Sequence, residues 1–250
     1  MSLLELSGVS KQFGGLAAVS NFDLKLEKGE LIGLIGPTGA GKSTIFNLIS
    51  GVLPPTAGKI LFKGGEVGGR KPHEIARMGI IRTFQLNTLF GDLTVFQNAL
   101  IGGHTSAGLG LGLAEAFFRL KRREDLEQRS LDVLRLLGLI DLKDEIAKNL
   151  PDGHQRILEI GVAVCAMPEV LLLDEPVSGM NVKEAIRVMN MVNSLREREG
   201  LSVLLVEHNM RVIMDYCDRV AVVSYGKKIA EGRPSEIKQN EEVIIAYLGA

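Results

Sequence analysis

The stretch LIGLIGPTGAGKST spans residues 31–44 and decides the fold. Its apolar start, Leu31–Ile35, is typical of a strand buried on both faces of a parallel sheet. The glycines and Lys42 that follow match a phosphate-binding P-loop, and the apolar residues after Thr44 are typical of a helix. A strand, a glycine-rich loop and a helix in this order predict a nucleotide-binding core of the α/β class.

The loop is the first predicted binding site, and its chemistry favours the phosphates of a nucleotide together with Mg²⁺. Glycines let successive backbone N–H groups point at the β-phosphate, and the helix N-terminus adds partial positive charge. Lys42 is expected to bridge β- and γ-phosphate oxygens, and Ser43 to ligate Mg²⁺. The alternative is a glycine-rich turn that only begins a helix. The predicted nucleotide contacts here are Gly36, Pro37, Thr38, Gly39, Ala40, Gly41, Lys42, Ser43 and Thr44.

Two adjacent carboxylates follow the apolar run Val170–Leu173. At the carboxyl end of a parallel strand, Asp174 can reach the Mg²⁺ shell, and Glu175 can activate a water against the γ-phosphate. Such a strand end is often only structural when it occurs alone. Together with the P-loop, it predicts hydrolysis at the γ-phosphate of a bound nucleotide.

The rest of the chain supports a P-loop NTPase core of RecA-like type. Apolar runs at 171–173, 203–206 and 220–223 predict further buried strands, and alternation at 3–9 and 22–26 predicts a small antiparallel β-layer. Residues 98–148 lack a buried-strand run and carry leucines at helical spacing, so we expect an inserted helical subdomain there. The core of this single domain, 1–250, would be 1–97 and 149–250. The glycine-rich stretch 102–110 is expected to be a loop.

Composition narrows the function classes. The 250 residues carry 29 basic and 30 acidic side chains, a net charge of -1 that gives no whole-protein attraction to nucleic acid. Two distant cysteines, Cys165 and Cys217, argue against a disulfide framework and favour a reducing compartment. We expect no export signal, no membrane span and no regulatory domain after Gly232, so membrane association would come through a partner.

These motifs resemble those of the ATP-binding subunits of ABC transporters, in the same order and over essentially the whole chain. The resemblance implies that Gln85 is the Q-loop glutamine, which touches the metal and the attacking water. It also implies that Phe13 stacks on adenine and that His208 is the switch histidine at the γ-phosphate. The alternatives are a solvent-exposed loop glutamine, a core phenylalanine and a structural histidine. The implied catalytic set is Glu175, His208 and Gln85, and the implied metal set is Ser43, Gln85 and Asp174.

The segment Leu150–Gln155 departs from the signature Leu-Ser-Gly-Gly-Gln of this family, which binds the γ-phosphate of ATP held by the other subunit. The resemblance makes Pro151, Gly153 and His154 nucleotide contacts. Proline has no N–H, so we expect the contact through the N–H groups of Gly153 and His154 and the helix N-terminus. Pro151 is well suited to begin that helix. Asn181 stands where the family's D-loop more usually has Asp.

Segments 207–210, 229–232 and 243–249 look most like the subgroup that drives uptake of branched-chain amino acids. The implied function is an ATP-hydrolysing motor, held at the cytoplasmic face of the membrane by its permease. Its partners would be a second, identical or related ATPase subunit, transmembrane permease subunits and, indirectly, an extracytoplasmic substrate-binding protein. The alternatives are a soluble ABC ATPase or a low-turnover nucleotide-gated interaction module. A GTPase is not expected, because an Asn-Lys-x-Asp motif is absent.

We expect the permease to dock near Gln85 and the following residues 86–95. This stretch places Leu89, Phe90, Leu93 and Val95 next to the nucleotide sensor. The alternative is that these side chains pack the helical subdomain.

Overall fold

The structure is a computed structural model that describes residues 2–83, 89–104 and 114–248. The chain forms two compact units, one of Met1–Arg82 with Glu169–Ala250 and the other of Thr83–Pro168. Among the helices in the described ranges, none combines the length and apolar character needed to cross a bilayer.

The first unit contains two sheets and the helices that cover them. Its strands are β1 (Leu4–Phe13), β2 (Leu16–Leu26), β3 (Leu31–Ile35), β4 (Ala57–Phe62), β5 (Gly65–Glu66), β6 (Ile80–Arg82), β7 (Val170–Asp174), β8 (Ser202–Val206), β9 (Arg219–Ser224) and β10 (Lys227–Gly232). Its helices are α1 (Lys42–Ile49), α2 (Pro72–Met78), α6 (Val182–Glu199), α7 (Met210–Tyr216), α8 (Pro234–Ile237) and α9 (Glu241–Leu248).

The larger sheet has the strand order β10-β9-β3-β8-β7-β6. Strands β9, β3, β8, β7 and β6 are parallel, and β10 pairs antiparallel with β9 at one edge. Every residue of β3, β7 and β8 is buried, as expected for central strands covered on both faces. The predicted buried strands and the α/β P-loop fold are therefore confirmed. The short strand β6 was not predicted, because three residues carry no readable periodicity.

The smaller sheet is antiparallel, with the order β2-β1-β4-β5. It confirms the predicted β-layer and adds β4 and β5 to it. Apolar side chains of this sheet, such as Leu4 and Phe22, belong to one buried cluster with Ile32 of β3 and Phe46 of α1. This shared core fixes the helix after the P-loop between the two sheets.

The second unit is helical and wider than the predicted segment 98–148. It contains α3 (Val95–His104), α4 (Ala114–Leu136) and α5 (Asp152–Cys165). Helix α5 packs on α3 so closely that a Cβ at Gly102 would lie 2.1 Å from the Val162 carbonyl oxygen. The predicted boundaries were too narrow because α5 belongs with these helices. The loop predicted at 102–110 is wrong for residues 102–104, which are helical, and its remainder lies outside the described residues.

Candidate functional site

The P-loop lies between β3 and α1, at the carboxyl end of the parallel sheet. Gly36 turns the chain directly against β9, where a Cβ would lie 2.0 Å from the Val223 carbonyl oxygen. Helix α1 begins at Lys42 immediately after the loop. A helix N-terminus that follows a glycine-rich loop presents N–H groups to an anion, so the local fold suits a phosphate.

Lys42 is held inside this loop. Its side chain is 6 % exposed, and Nζ donates hydrogen bonds to the carbonyl oxygens of Gly36 (2.6 Å) and Pro37 (3.0 Å). Burial lowers the pKa of the ammonium group, and the negative charges of Glu175 and Asp174 oppose that shift. The structure thus brings the predicted lysine and both predicted carboxylates into one electrostatic site.

A cleft of about 330 Å³ opens beside the P-loop. Residues 39–44 form one wall, Leu16–Ala18 of the β1–β2 hairpin another, and Tyr225 with Gly226 a third. Ser43 and Thr44, two of the predicted nucleotide contacts, line this cleft. Tyr225 was missed from the sequence, because a single tyrosine in a turn carries no motif.

Phe13 ends β1 and pairs in register with Leu16, which lines the cleft. Its side chain is 45 % exposed, and the Nζ atom of Lys11 lies 5.3 Å from the ring centroid. The alternative of a core phenylalanine is therefore wrong. An exposed ring beside the cleft is compatible with adenine stacking, which stays a prediction.

Asp174 ends β7 and is nearly fully buried, at 4 % exposure. Its Oδ2 accepts a hydrogen bond from Arg82 Nη2 at 2.8 Å, and Arg82 Nη1 also donates to Asn47 Oδ1 of α1 at 2.6 Å. Arg82 thus ties the predicted metal ligand to the helix that follows the P-loop. No local pattern identifies this arginine, because its partner Asp174 is 92 residues away in the chain.

Glu175 and His208 lie at the ends of neighbouring strands and contact each other. His208 Nε2 is 3.1 Å from Glu175 Oε1, and the Glu175 N–H donates to the Val206 carbonyl oxygen at 2.8 Å. Glu175 has a positive φ of 50°, a strained conformation for a residue that is not glycine. The two side chains that the resemblance assigned to hydrolysis are thus brought together. The predicted third member, Gln85, lies outside the described residues.

The altered signature lies in the second unit, at the start of α5. Pro151 directly precedes the helix as its N-cap residue, and the helix begins at Asp152, so the predicted start of a helix at this proline is confirmed. The N–H of His154 donates to the Pro151 carbonyl oxygen at 2.8 Å. In the unliganded chain that donor is thus used within the first helical turn, and the contact of the His154 N–H with a phosphate stays a prediction. Helix geometry instead directs the N–H groups of Asp152 and Gly153 outward from the helix end.

Two features near the site were not expected. Asn181, in the D-loop position, caps α6 by accepting hydrogen bonds from the N–H groups of Lys183 (3.0 Å) and Glu184 (3.1 Å). On α9, burial raises the pKa of the Tyr247 hydroxyl, and a hydrogen bond with the Gly36 backbone opposes that shift.

Comparison with known sequences agrees with these observations. The family described as ABC transporter matches residues 19–178, and the family described as branched-chain amino acid ATP-binding cassette transporter matches residues 227–250. The high-affinity branched-chain amino acid transport ATP-binding protein LivG of Escherichia coli (strain K12) is 41% identical over 250 residues, covering 99% of this chain and 98% of that protein. The corresponding protein BraF of Pseudomonas aeruginosa is 39% identical over 251 residues, with the same shares covered.

Solved structures show the same fold. The ADP conformation of an ATP-binding cassette of an ABC transporter matches with a TM-score of 0.87 and 30% identity over 100% of both chains. A nucleotide-free cassette from an ABC transporter matches with a TM-score of 0.86 and 30% identity, also over 100% of both chains.

Proposed function

This chain belongs to the ABC transporter family as an ATPase subunit, and from that premise we propose that its transporter imports branched-chain amino acids. The observation that carries this proposal is the 41% identity to LivG, which extends over 99% of the chain. The match of residues 227–250 to the branched-chain amino acid family supports it, because that segment lies beyond the shared ATPase motifs.

The first step is ATP binding at the P-loop. In the structure, the Lys42 ammonium group is bound by two carbonyl oxygens of its own loop. Anionic phosphate oxygens are stronger acceptors than carbonyl oxygens, so we expect Lys42 to exchange these partners for the β- and γ-phosphates. The loop N–H groups and the N-terminus of α1 bind the remaining phosphate charge.

The residues present fit a magnesium ion. Ser43 lines the cleft with a hydroxyl, and Asp174 places a buried carboxylate at the end of β7. Oxygen donors of these kinds are the ligands that Mg²⁺ prefers. The bound ion would neutralise charge that develops on the phosphate oxygens. Arg82 holds the Asp174 carboxylate in place through its hydrogen bond to Oδ2.

Glu175 is proposed as the general base for hydrolysis. Its carboxylate would accept a proton from the water that attacks the γ-phosphate. His208 Nε2, 3.1 Å from Oε1, restricts the rotation of this carboxylate, and its imidazole would contact the same phosphate. A general base is effective only when it is held in position, and this contact supplies the restraint.

The remaining partners follow from the same family. Pro151 and Gly153 lie in the second unit, where the signature of one subunit would bind ATP held by a second ATPase subunit. Transmembrane permease subunits would hold the pair at the cytoplasmic face of the membrane. An extracytoplasmic substrate-binding protein would deliver the amino acid to those permease subunits.

The experiment is to replace Glu175 with Gln in cells and in the purified chain. Glu175→Gln should lower the rate of ATP hydrolysis by about two to four orders of magnitude, because the neutral amide cannot accept a proton, while ATP affinity is retained. Uptake of labelled leucine should fall in parallel in a strain whose own gene is replaced by this variant.

Two further variants make the result specific. Lys42→Ala should lose ATP binding by calorimetry, whereas Lys63→Ala, an exposed lysine outside the cleft, should keep it. Parent-level hydrolysis by Glu175→Gln would contradict the assignment of the base. Normal leucine uptake by an inactive variant would contradict the proposed substrate class.

A further inference from the structure

Glu207 is a buried carboxylate directly beside the proposed catalytic pair. It follows the last residue of β8 and is 3 % exposed. Its Oε1 accepts a hydrogen bond from the Val177 N–H at 3.0 Å, and its Oε2 accepts from the N–H groups of His208 (3.0 Å) and Asn209 (3.3 Å). A side chain that accepts through both oxygens has the hydrogen-bonding pattern of an ionised carboxylate.

These contacts join the two loops that carry Glu175 and His208. Val177 is two residues beyond Glu175, while the other oxygen holds the backbone of His208 itself. Two further links between the loops are the hydrogen bond from the Glu175 N–H to the Val206 carbonyl oxygen and the side-chain contact of Glu175 with His208. Glu207 is therefore the buried bridge beneath the catalytic contact.

We propose that Glu207 is a positioning residue for ATP hydrolysis, which holds the Glu175 and His208 loops at the separation that their side-chain contact requires. This inference rests on the proposed role of Glu175. It follows from geometry: Glu207 is held against backbone N–H groups on both sides and does not line the nucleotide cleft.

Glutamine is the informative replacement because it keeps the size of the side chain. Its amide has one acceptor oxygen and one NH₂ donor. Whichever way the amide is turned, the NH₂ group meets a backbone N–H, either that of Val177 or those of His208 and Asn209. One loop must therefore lose its restraint without the creation of a cavity.

The test compares Glu207→Gln with Glu30→Gln in the purified chain. Glu30 also accepts a hydrogen bond from a backbone N–H group, that of Glu27, and it forms an ion pair with Arg219. It differs from Glu207 in position, because it lies directly before β3, at the strand end opposite the P-loop. We expect Glu207→Gln to lower kcat about tenfold to hundredfold, because a small displacement of catalytic groups lowers the rate by this amount. The Kd for ATP should stay within about twofold of the parental value. Glu30→Gln should keep the parental kcat.

A second arm separates positioning from a general structural effect. In a His208→Ala background, Glu207→Gln should lower kcat by less than about threefold, because residues acting through one contact are not additive. Amide hydrogen exchange should also become faster in Glu207→Gln, either at Val177 or at His208 and Asn209, at whichever of these N–H groups loses its acceptor.

Several results would overturn the inference. The first is an unchanged kcat in a Glu207→Gln variant that folds. The second is an equal decrease of kcat when Glu207→Gln is introduced into the parent chain and into His208→Ala. The third is a decrease of kcat in Glu30→Gln equal to that in Glu207→Gln. If Glu207→Gln does not fold, the same comparisons are made with Glu207→Asp. This variant keeps the negative charge, but its side chain is one methylene shorter. A parent chain that hydrolyses no ATP would instead contradict the proposed function.

Discussion

Cys165 and Cys217 are the two thiols of the chain, and both are buried. Burial raises the pKa of Cys165 to about 11 and that of Cys217 to about 12, from an ordinary value of 9.0. The folded chain therefore keeps both thiols protonated in a range where the unfolded chain ionises them. Because the folded pKa values are raised, their contribution to stability is complete below about pH 9 and is lost as the pH rises towards 11 and 12.

The free energy of unfolding should consequently decrease steeply above about pH 9. For two thiols the loss between about pH 9 and pH 10 is about 2 kcal/mol. A variant carrying Cys165→Ala and Cys217→Ala should lack this part of the pH dependence, although its stability at neutral pH is lower. Denaturant unfolding of both proteins at several pH values measures the difference. Equal pH slopes would show that the thiols are not the cause.

At the level of residues, sequence patterns predicted those site residues that belong to short contiguous motifs. The P-loop, Asp174 and Glu175 follow from contiguous motifs, because phosphate and metal binding need particular residues at fixed spacing. Arg82 and Glu207 could not be found in this way. Their roles arise from pairings across the fold, with Asp174 and Val177 respectively, which no short stretch of sequence records.

At the level of elements, helix α5 shows how a departure from a family pattern can preserve a local structure. Pro151 lacks the hydroxyl and the N–H of the usual serine, yet it begins the helix at the N-cap. Gly153 lies in the first turn, and a Cβ there would have no heavy atom within 4 Å among the described residues. A side chain at this position therefore meets open space, and an acidic one favours the helix N-terminus.

Gly153→Asp should fold at least as well as the parent but fail to form the ATP-dependent dimer. The added carboxylate would repel the γ-phosphate that a partner subunit is proposed to bring to this helix end. Gly153→Ala is the matched control, since it adds a side chain without charge and should dimerise. Sedimentation in the Glu175→Gln background, with ATP present, measures the effect. Normal dimerisation of Gly153→Asp would favour a low-turnover interaction module over a phosphate-binding signature.

Element boundaries were predicted less well than element types. The buried strands were readable because β3, β7 and β8 consist almost wholly of apolar residues. The extent of the helical unit could not be predicted from the sequence, because it depends on the packing of α5 on α3. That packing requires the backbone contact of Gly102 with Val162, and the same glycines read locally as a loop.

For the whole molecule, the proposed functional residues are distributed over the two units. The first carries the P-loop, Asp174, Glu175 and His208, and the second carries the signature helix and the exposed ring of Phe90. Part of the predicted permease contact, 86–95, is corrected by the structure: Val95 is fully buried, so it packs the helical unit. Residues 86–88 lie outside the described ranges. Phe90 remains the candidate, because its side chain is 55 % exposed.

The backbone around Phe90 is organised by Asn98, which is 1 % exposed. Asn98 Oδ1 accepts from the Phe90 N–H at 2.8 Å, and Nδ2 donates to the carbonyl oxygens of Phe90 (3.1 Å) and Thr94 (2.9 Å). An exposed aromatic ring on a fixed backbone loses little conformational entropy on binding, so it is a favourable anchor for a partner.

Phe90→Asp should therefore uncouple the ATPase from transport. The isolated variant should bind and hydrolyse ATP as the parent does, because the substitution leaves the P-loop, Glu175 and His208 unchanged. In cells it should lose most leucine uptake, because a charge at an apolar contact prevents docking on the permease. Met167→Asp is the matched control, because Met167 is also 55 % exposed and belongs to the same unit. Cells with Met167→Asp should show normal leucine uptake. Cross-linking from Phe90→Cys to the permease gives an independent measurement, and normal uptake by Phe90→Asp would place the permease contact elsewhere.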